Sequence, residues 1–211
     1  MLDGDIPSEA VEARLDEAAP LFEGRSTEGP IRLGDYRRRW VLLFAHPADF
    51  TPVCTSEFIA LARAEDRFEA MDCALIGLSV DSVYAHLAWI ERIEQDSGVR
   101  VRFPLIEDPS LVISRAYGMI HPGASSTATV RSVFVIDPDG ILRAMVHYPM
   151  SVGRSVDELV RLVAALRATR DGKAVAGEGW EEGQALLSPA PTTASDLDKV
   201  EGEPWYAGVS S

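Results

Sequence analysis

Two cysteines are the residues of this 211-residue chain with the clearest capacity for chemistry, and they are Cys54 and Cys73. An isolated pair makes no disulfide framework, so each cysteine is either a buried apolar filler or a reactive thiol. Cys54 lies in the first turn of a predicted helix, where free N–H groups and the positive end of the helix dipole favour the thiolate. A buried structural cysteine can occupy the same place, so position alone leaves both interpretations open.

The residues around Cys54 form a pattern with a specific chemistry. Pro47, Thr51 and Cys54 stand in the spacing Pro-x-x-x-Thr-x-x-Cys, and Glu57 follows one helical turn later. In this strand-to-helix context the segment resembles the active-site motif of the peroxiredoxins. The resemblance spans about residues 20–170 and continues weakly beyond them. Its strongest segments, in the family's order, are Trp40 to Phe58, Ala74 to Trp89, Val130 to Asp137 and Tyr148 to Glu158.

The resemblance implies a thiol-based peroxidase that reduces hydrogen peroxide and alkyl hydroperoxides. Such a site needs an ionised sulfur, an oriented O–O bond and stabilisation of the charge that develops on the departing oxygen. The family match assigns the nucleophile to Cys54 and a hydroxyl donor to Thr51. It makes Pro47, which has no N–H, a cover that excludes water. It makes Arg131 the cationic partner of the thiolate, because its guanidinium is always charged.

Three further residues are expected to support this site. Glu57 resembles the carboxylate that holds the arginine, His46 the imidazole near the sulfur, and Arg154 a second arginine that packs near the active site. Taken alone, several of the site residues have simpler interpretations, and their joint occurrence favours the peroxidase. Those interpretations are an N-cap at Thr51, a strand terminator at Pro47, a first-turn acid at Glu57, a surface charge at Arg131 and a backbone-bonded histidine at His46.

The second cysteine bears on how the catalytic cycle closes. Attack on a peroxide leaves Cys54 as a sulfenic acid, which another thiol must reduce. Cys73 begins a predicted buried strand, so we expect it to be buried and to have no resolving role. The segment Trp205-Tyr206-Ala207-Gly208 resembles the arm of relatives that carry a cysteine just after the aromatics, which this chain lacks. The resemblance therefore implies a one-cysteine enzyme with an external reductant, such as a thioredoxin-like protein or glutathione.

Other functions fit the sequence less well. A non-catalytic peroxide sensor or holdase would carry the same site residues, and peroxide turnover with a thiol donor would separate it from an enzyme. A thiol–disulfide oxidoreductase needs Cys-x-x-Cys, but Glu57 holds the second position. A phospholipase needs a Gly-x-Ser-x-Gly elbow or the relatives' serine before the first strand, where Arg38-Arg39-Trp40 stands. Two separated cysteines and four scattered histidines show no zinc-ligand spacing, so we expect neither metal nor cofactor.

Strands and helices alternate along the sequence, which predicts an α/β fold with a thioredoxin-like mixed sheet flanked by helices. The second helix is expected to turn Leu87, Ile90 and Ile93 inward, and the turn Asp137 to Gly140 joins the last two strands. The predicted strands are 40–45, 74–80, 103–106, 132–136 and 141–147, and the predicted helices are 52–70, 84–95, the segment from Asp108 to Tyr117, and 156–169.

The domain organisation, charge and compartment complete the expectations. Residues 1–170 are expected to form the peroxidase domain, with 1–18 as an N-terminal extension. Residues 171–211 are expected to form an arm that packs on its own or a partner subunit.

The net charge of −13 argues against nucleic acid and anionic membranes as partners. No apolar stretch approaches the roughly 20 residues of a membrane-spanning helix, and the acidic N-terminus does not resemble a signal peptide, so we expect a cytoplasmic protein. Peroxiredoxins of this kind are at least dimers, so we expect a homodimer or a larger ring of dimers.

Overall fold

The computed structural model describes residues 12–120 and 128–197 of the chain. The chain divides into two compact units, Met1–Val156 and Asp157–Ser211. The expected domain boundary at residue 170 and the docking of an arm over 171–211 remain predictions.

Seven strands form one mixed sheet in the first unit. They are β1 (Glu23–Ser26), β2 (Gly29–Arg32), β3 (Trp40–Ala45), β4 (Cys73–Ser79), β5 (Leu105–Glu107), β6 (Arg131–Ile136) and β7 (Leu142–Tyr148). Their order across the sheet is β2-β1-β5-β4-β3-β6-β7. The central strands β3, β4 and β5 run parallel, whereas β1, β2, β6 and β7 pair in antiparallel fashion.

The helices complete an α/β fold. A 3₁₀ turn covers Leu33–Tyr36, and the α-helices are α1 (Pro52–Ala70), α2 (Val83–Ser97), α3 (Val112–Ala116), α4 (Val156–Ala168) and α5 (Ala194–Leu197). Within the first unit, α1 packs on β4 and α2 packs on β5. The predicted fold class is confirmed: it is a thioredoxin-like mixed sheet with flanking helices.

The centre of the sheet positions the site. Every residue of β3 and β4 is buried, which explains their continuous apolar sequences, since a strand covered on both faces has no polar side. The two strands are parallel and in register, with Leu43 opposite Ile76 and Ala45 opposite Leu78. Their carboxyl ends therefore meet at one edge, and both connections to the following helices leave from there. In parallel sheets this edge is where binding and catalytic residues gather.

The inward face of α2 differs from the predicted one. Leu87 is 44% exposed, whereas Ile93 is buried as expected. The buried stripe consists of Val83, His86, Trp89 and Ile93. The expectation for Leu87 was wrong because it followed the apolar residues alone, whereas the buried face of this helix includes a histidine that finds partners inside the protein.

Two short elements differ from the sequence-based predictions: the β1–β2 hairpin was not predicted, and α3 is shorter than predicted. β1 and β2 form a hairpin that the sequence analysis did not predict, because four-residue strands around Gly29 carry no alternating pattern. The helix predicted from Asp108 to Tyr117 shortens to Val112–Ala116. The two carboxylate oxygens of Asp108 accept the backbone N–H groups of Val112 and Ser114, at 3.0 and 2.7 Å, and so support the start of this helix.

In the second unit, Trp180 is a buried aromatic residue held by hydrogen bonds. It is buried, its indole N–H donates to the Gln184 carbonyl at 3.1 Å, and its own carbonyl accepts from Arg161 at 3.2 Å. Val175 and Leu187 form an isolated antiparallel bridge around it. Trp205 and Tyr206, which carried the expected likeness to a C-terminal arm, lie outside the described residues. Over the described ranges, no helix is long and apolar enough to cross a membrane.

Candidate active site

Cys54 occupies the place that the sequence predicted, in the first turn of α1. The connection from β3 passes through the buried Pro47 and reaches α1 at Pro52, the first helical residue. The Cys54 side chain is fully buried. The sulfur is therefore held inside the protein, at the helix end that favours a negative charge.

Thr51 stands at the N-cap position of α1, but its side chain does not cap the helix. Its hydroxyl donates to the Ala48 carbonyl at 3.0 Å, and no side-chain cap hydrogen bond forms. The interpretation of Thr51 as an ordinary side-chain cap is therefore wrong. The Thr51 carbonyl accepts from both the backbone and the hydroxyl of Thr55, which fixes the first turn.

Arg131, the first residue of β6, contacts Cys54. Its Nη1 lies 3.3 Å from Sγ, and both side chains are buried. β6 begins at Arg131 and runs antiparallel to β3, with Val133 opposite Phe44. The start of β6 therefore lies beside the end of β3, where the chain turns toward Cys54. The Arg131 Nε also donates to the Met150 carbonyl at 3.0 Å, which fixes the plane of the guanidinium.

Glu57 is the buried carboxylate that joins the two arginines. Its Oε2 accepts from Arg131 Nη1 at 2.6 Å and from Arg154 Nη2 at 2.8 Å. Its Oε1 accepts from the backbone N–H and the Nε of Arg154, at 2.7 and 2.9 Å. Burial alone would raise the pKa of Glu57, but the hydrogen bonds from Arg154 and the charge of Arg131 outweigh it and hold that pKa below its ordinary value.

Arg154 ties this cluster to the strand ends. Its Nη1 donates to the carbonyls of Ala45 and Ser132, at 2.9 and 3.1 Å, so one guanidinium links β3, β6 and Glu57. Gly153 lets the backbone come this close, because a Cβ there would lie 3.3 Å from Val53 Cγ1 and 3.8 Å from Glu57 Cγ. Arg154, which the family resemblance placed near the active site, thus contacts the Glu57 carboxylate directly.

Among the described residues, the buried guanidiniums of Arg131 and Arg154 share the buried carboxylate of Glu57. Removing the carboxylate from such a cluster would leave uncompensated positive charge, which costs several kcal/mol in a protein interior. The Arg131 nitrogen that bonds Glu57 also lies 3.3 Å from Cys54 Sγ. The arrangement therefore presents a positively charged group directly to the sulfur.

His46 is buried, but its ring does not bond to the backbone, so the simpler interpretation of this residue is wrong. Its Nε2 lies 2.8 Å from Asp49 Oδ1, and the other oxygen of Asp49 lies 2.8 Å from His86 Nδ1. Neither Asp49 nor His86 was singled out from the sequence. The three residues come from the end of β3, the following loop and α2, so no local spacing joins them. The sequence did carry one signal for His86: its spacing from Val83 and Trp89 places it on the same face of α2 as these two apolar residues.

These three side chains also have the chemistry of metal ligands. Their nitrogen and oxygen atoms lie within 4.8 Å of one another. Each nitrogen that faces Asp49 is already used in a direct hydrogen bond of 2.8 Å, however, so the two carboxylate oxygens are engaged without an ion. We therefore interpret it as a hydrogen-bonded chain.

Cys73 is buried, as expected, and it lies at the opposite end of the sheet from Cys54. It pairs with Trp40 at the start of β3, whereas Cys54 follows the end of that strand. A six-residue strand is about 17 Å long. A disulfide needs Cα atoms within about 7 Å, so the two cysteines cannot pair in this fold.

A thioredoxin-like sheet that presents a buried cysteine at a helix N-terminus, beside an arginine from a distant strand, defines a thiol-dependent peroxidase. Comparison with known proteins gives the family. A model described as the AhpC/TSA family matches residues 15–145. A peroxiredoxin of Aquifex aeolicus (strain VF5) is 45% identical over 209 residues, which cover 92% of this chain and 94% of that protein. The chain belongs to the AhpC/TSA family, and it is a peroxiredoxin-type peroxidase.

Solved structures agree with this assignment. The yeast mitochondrial 1-Cys peroxiredoxin matches with a TM-score of 0.79 at 34% identity, covering 88% of this chain and 91% of that one. Peroxiredoxin 6 of Arenicola marina matches with a TM-score of 0.81 at 31% identity, covering 93% and 96%.

Proposed function

We propose that this chain reduces hydrogen peroxide and alkyl hydroperoxides through a sulfenic acid at Cys54, which an external thiol then reduces. The single observation that carries the proposal is the 3.3 Å contact between Arg131 Nη1 and Cys54 Sγ, made while the same nitrogen bonds Glu57. This guanidinium stands where it can stabilise the thiolate before attack and an oxygen anion during it.

The proposed reaction needs few groups. The Cys54 thiolate attacks one peroxide oxygen, the S–O bond forms as the O–O bond breaks, and the departing oxygen takes a proton to become water or an alcohol. Arg131 stabilises the negative charge as it moves from sulfur to the departing oxygen. Thr51 reaches the peroxide by turning its hydroxyl away from the Ala48 carbonyl. Pro47, buried and without an N–H, keeps water from competing.

The resolving thiol is proposed to come from another molecule. The chain has two cysteines, and Cys73 lies a strand length away from Cys54. The yeast mitochondrial relative is described as a 1-Cys peroxiredoxin whose thiol is resolved through glutathione and thioredoxin systems. Glutathione and a thioredoxin-like protein are therefore the reductants to test first. Because Cys54 is fully buried, the first turn of α1 must open before either can reach the sulfenic acid.

The proposed assembly is a homodimer or a larger ring of dimers. In the described part of the chain β7 is the last strand of the sheet, and most of its residues are half-buried. The outer backbone edge of such a strand can pair with a second copy in antiparallel fashion. We propose the cytoplasm as the compartment, since two isolated cysteines suit a reducing environment.

One experiment tests the proposed function directly. The protein receives one equivalent of hydrogen peroxide, its mass is measured, and glutathione or thioredoxin with its reductase is then added. We expect one oxygen atom on the peptide that contains Cys54, its removal by the donor, and repeated turnover. Cys54→Ser should abolish turnover, whereas the matched variant Cys73→Ala should retain it. Oxidation of Cys54 without turnover in any donor would instead indicate a peroxide sensor.

A further inference from the structure

A buried chain of three polar side chains lies next to the active-site turn. Asp49 is at its centre, and each of its carboxylate oxygens takes one imidazole nitrogen at 2.8 Å, from His46 on one side and His86 on the other. Both histidines are fully buried, and Asp49 is 8% exposed. The far nitrogen of His86, Nε2, lies 3.3 Å from the Ile106 carbonyl. His86 is therefore enclosed by acceptors on both sides.

The acceptors decide where the protons lie. Burial alone would raise the pKa of Asp49, but the hydrogen bonds from His46 and His86 outweigh it and hold that pKa below its ordinary value. An ionised carboxylate only accepts hydrogen bonds, so the nitrogen that faces each oxygen carries a proton. His46 is thus protonated at Nε2. Burial lowers the pKa of His46 more than Asp49 raises it, which keeps the ring neutral and leaves Nδ1 without a proton.

The Nδ1 atom of His46 is buried and accepts no hydrogen bond from any described residue. Buried acceptors without a donor are rare and costly, and in a native protein each calls for an explanation. The two aromatic neighbours do not supply one: Phe58, in an edge-to-face contact with ring centroids 4.8 Å apart, has no donor, and the Trp89 indole N–H donates to the Thr55 hydroxyl. No described residue therefore supplies the donor that Nδ1 lacks.

The position of Phe58 shows where such a donor can come from. Phe58 is one helical turn after Cys54 on the same buried stripe of α1, so the imidazole packs beside the turn that holds the sulfur. A peroxide bound at Cys54, or the sulfenic acid formed there, brings an O–H group to this region. Both species are O–H donors of the kind that His46 Nδ1 lacks.

We propose that His86 is a positioning residue of the peroxidase site: through Asp49 it holds His46 as the Nε2–H tautomer, so that Nδ1 remains an acceptor for the O–H of a peroxide or of the Cys54 sulfenic acid. The inference rests on the proposed function. The inference depends on the hydrogen bond from the His86 N–H to Asp49, which helps to keep the Asp49 carboxylate ionised despite its burial. Without that donor, burial favours a protonated Asp49. Its O–H would then donate to His46 Nε2 and move the ring proton to Nδ1, which blocks the acceptor.

Two substitutions of similar size separate the two bonds of His86. In His86→Asn the amide nitrogen stands near the original Nδ1 and can still donate to Asp49. In His86→Gln it stands near the original Nε2 and can reach only the Ile106 carbonyl. Glu91→Gln, on the exposed face of the same helix, is the matched control.

The decisive readout is the tautomer of His46, measured by nitrogen NMR of the ¹⁵N-labelled imidazole rings in the full-length reduced protein. We expect Nε2 protonated and Nδ1 unprotonated in the wild type, in His86→Asn and in Glu91→Gln, and a shift of the proton toward Nδ1 in His86→Gln. The rate of Cys54 oxidation by hydrogen peroxide should fall about tenfold in His86→Gln, the loss of roughly one hydrogen bond in the transition state. Its alkylation by iodoacetamide, which needs no such acceptor, should hardly change.

Several results would overturn the inference. A wild-type His46 that is protonated at Nδ1 would do so without any variant, even if His86→Gln fails to fold. So would an unchanged tautomer and oxidation rate in a folded His86→Gln. Failure of the proposed function looks different, because then the wild type would turn over no peroxide while its tautomer still responded to His86.

Discussion

Arg131 Nη1 lies 3.3 Å from Cys54 Sγ, although the two residues are 77 positions apart in the chain. The contact depends on topology: β6 returns antiparallel beside β3, and α1 begins where β3 ends. The same nitrogen bonds Glu57 at 2.6 Å, and the Arg131 Nε donates to the Met150 carbonyl at 3.0 Å. The guanidinium is therefore anchored by groups other than the sulfur.

Thr51 provides the first prediction. Its hydroxyl donates to the Ala48 carbonyl in the present structure and is proposed to turn toward a bound peroxide. Thr51→Val keeps the shape of the side chain and removes the donor, so the rate of Cys54 oxidation should fall about tenfold. Thr51→Ser keeps the hydroxyl and should stay near the wild-type rate. Stopped-flow tryptophan fluorescence would measure both, and equal rates in the two variants would exclude a hydrogen-bonding role.

Glu57 provides a prediction about stability and pH. Its pKa is lower in the folded protein than in the unfolded chain, so its ionised form stabilises the fold above the unfolded pKa, and this contribution disappears as the pH falls through the folded pKa. Glu57→Gln leaves two buried guanidiniums without their carboxylate and should cost about 3–5 kcal/mol at neutral pH. Urea unfolding should show that difference shrinking in acid.

Glu65, on the same helix, is the matched control, because its pKa is shifted in the opposite direction to that of Glu57. It is half-buried, its Oε2 has no hydrogen-bond partner among the described residues, and burial raises its pKa. Its ionised form therefore costs stability above the folded pKa, and this cost disappears in acid. Glu65→Gln should be as stable as the wild type or more so at neutral pH. Equal losses in Glu57→Gln and Glu65→Gln would contradict the charge balance of the site.

Gly153 tests how closely the loop after β7 must approach α1. In Gly153→Ala the new Cβ would lie 3.3 Å from Val53 Cγ1, so the loop that carries Arg154 must move slightly. We expect the oxidation rate to fall about threefold, well below the loss that a full ångström of misplacement can cause. Val53→Ala makes room for the new methyl group, so the double variant should regain the rate of Val53→Ala alone. If the double variant is as slow as Gly153→Ala, crowding against Val53 is not the cause.

The sequence predicted well those features that a continuous local pattern encodes. The apolar run of β3 and Pro52 at the start of α1 matched the structure closely. The family resemblance also led to Arg131 and Glu57, and the structure places Arg131 in contact with both the sulfur and Glu57.

The polar groups in the interior were harder to foresee. The ring nitrogens of the buried His86 lie 2.8 Å from Asp49 Oδ2 and 3.3 Å from the Ile106 carbonyl, and these partners come from other elements. On α2 the apolar pattern instead favoured Leu87, which is exposed. A histidine is buried when tertiary partners satisfy its polar atoms, and the periodicity of one helix gives no information about partners on other elements.

The central claim is that Arg131, in contact with Cys54 Sγ, stabilises the transition state of peroxide cleavage. Two rates measured near neutral pH on wild type, Arg131→Lys and Arg131→Ala separate this effect from a general change in the reactivity of the sulfur: oxidation of Cys54 by hydrogen peroxide and its alkylation by iodoacetamide. Both reactions need the thiolate, but only the first needs the oriented donors of the guanidinium. We predict that Arg131→Ala slows oxidation by about 100-fold and alkylation by much less, with Arg131→Lys in between. Oxidation of Arg131→Ala at the wild-type rate would contradict the account.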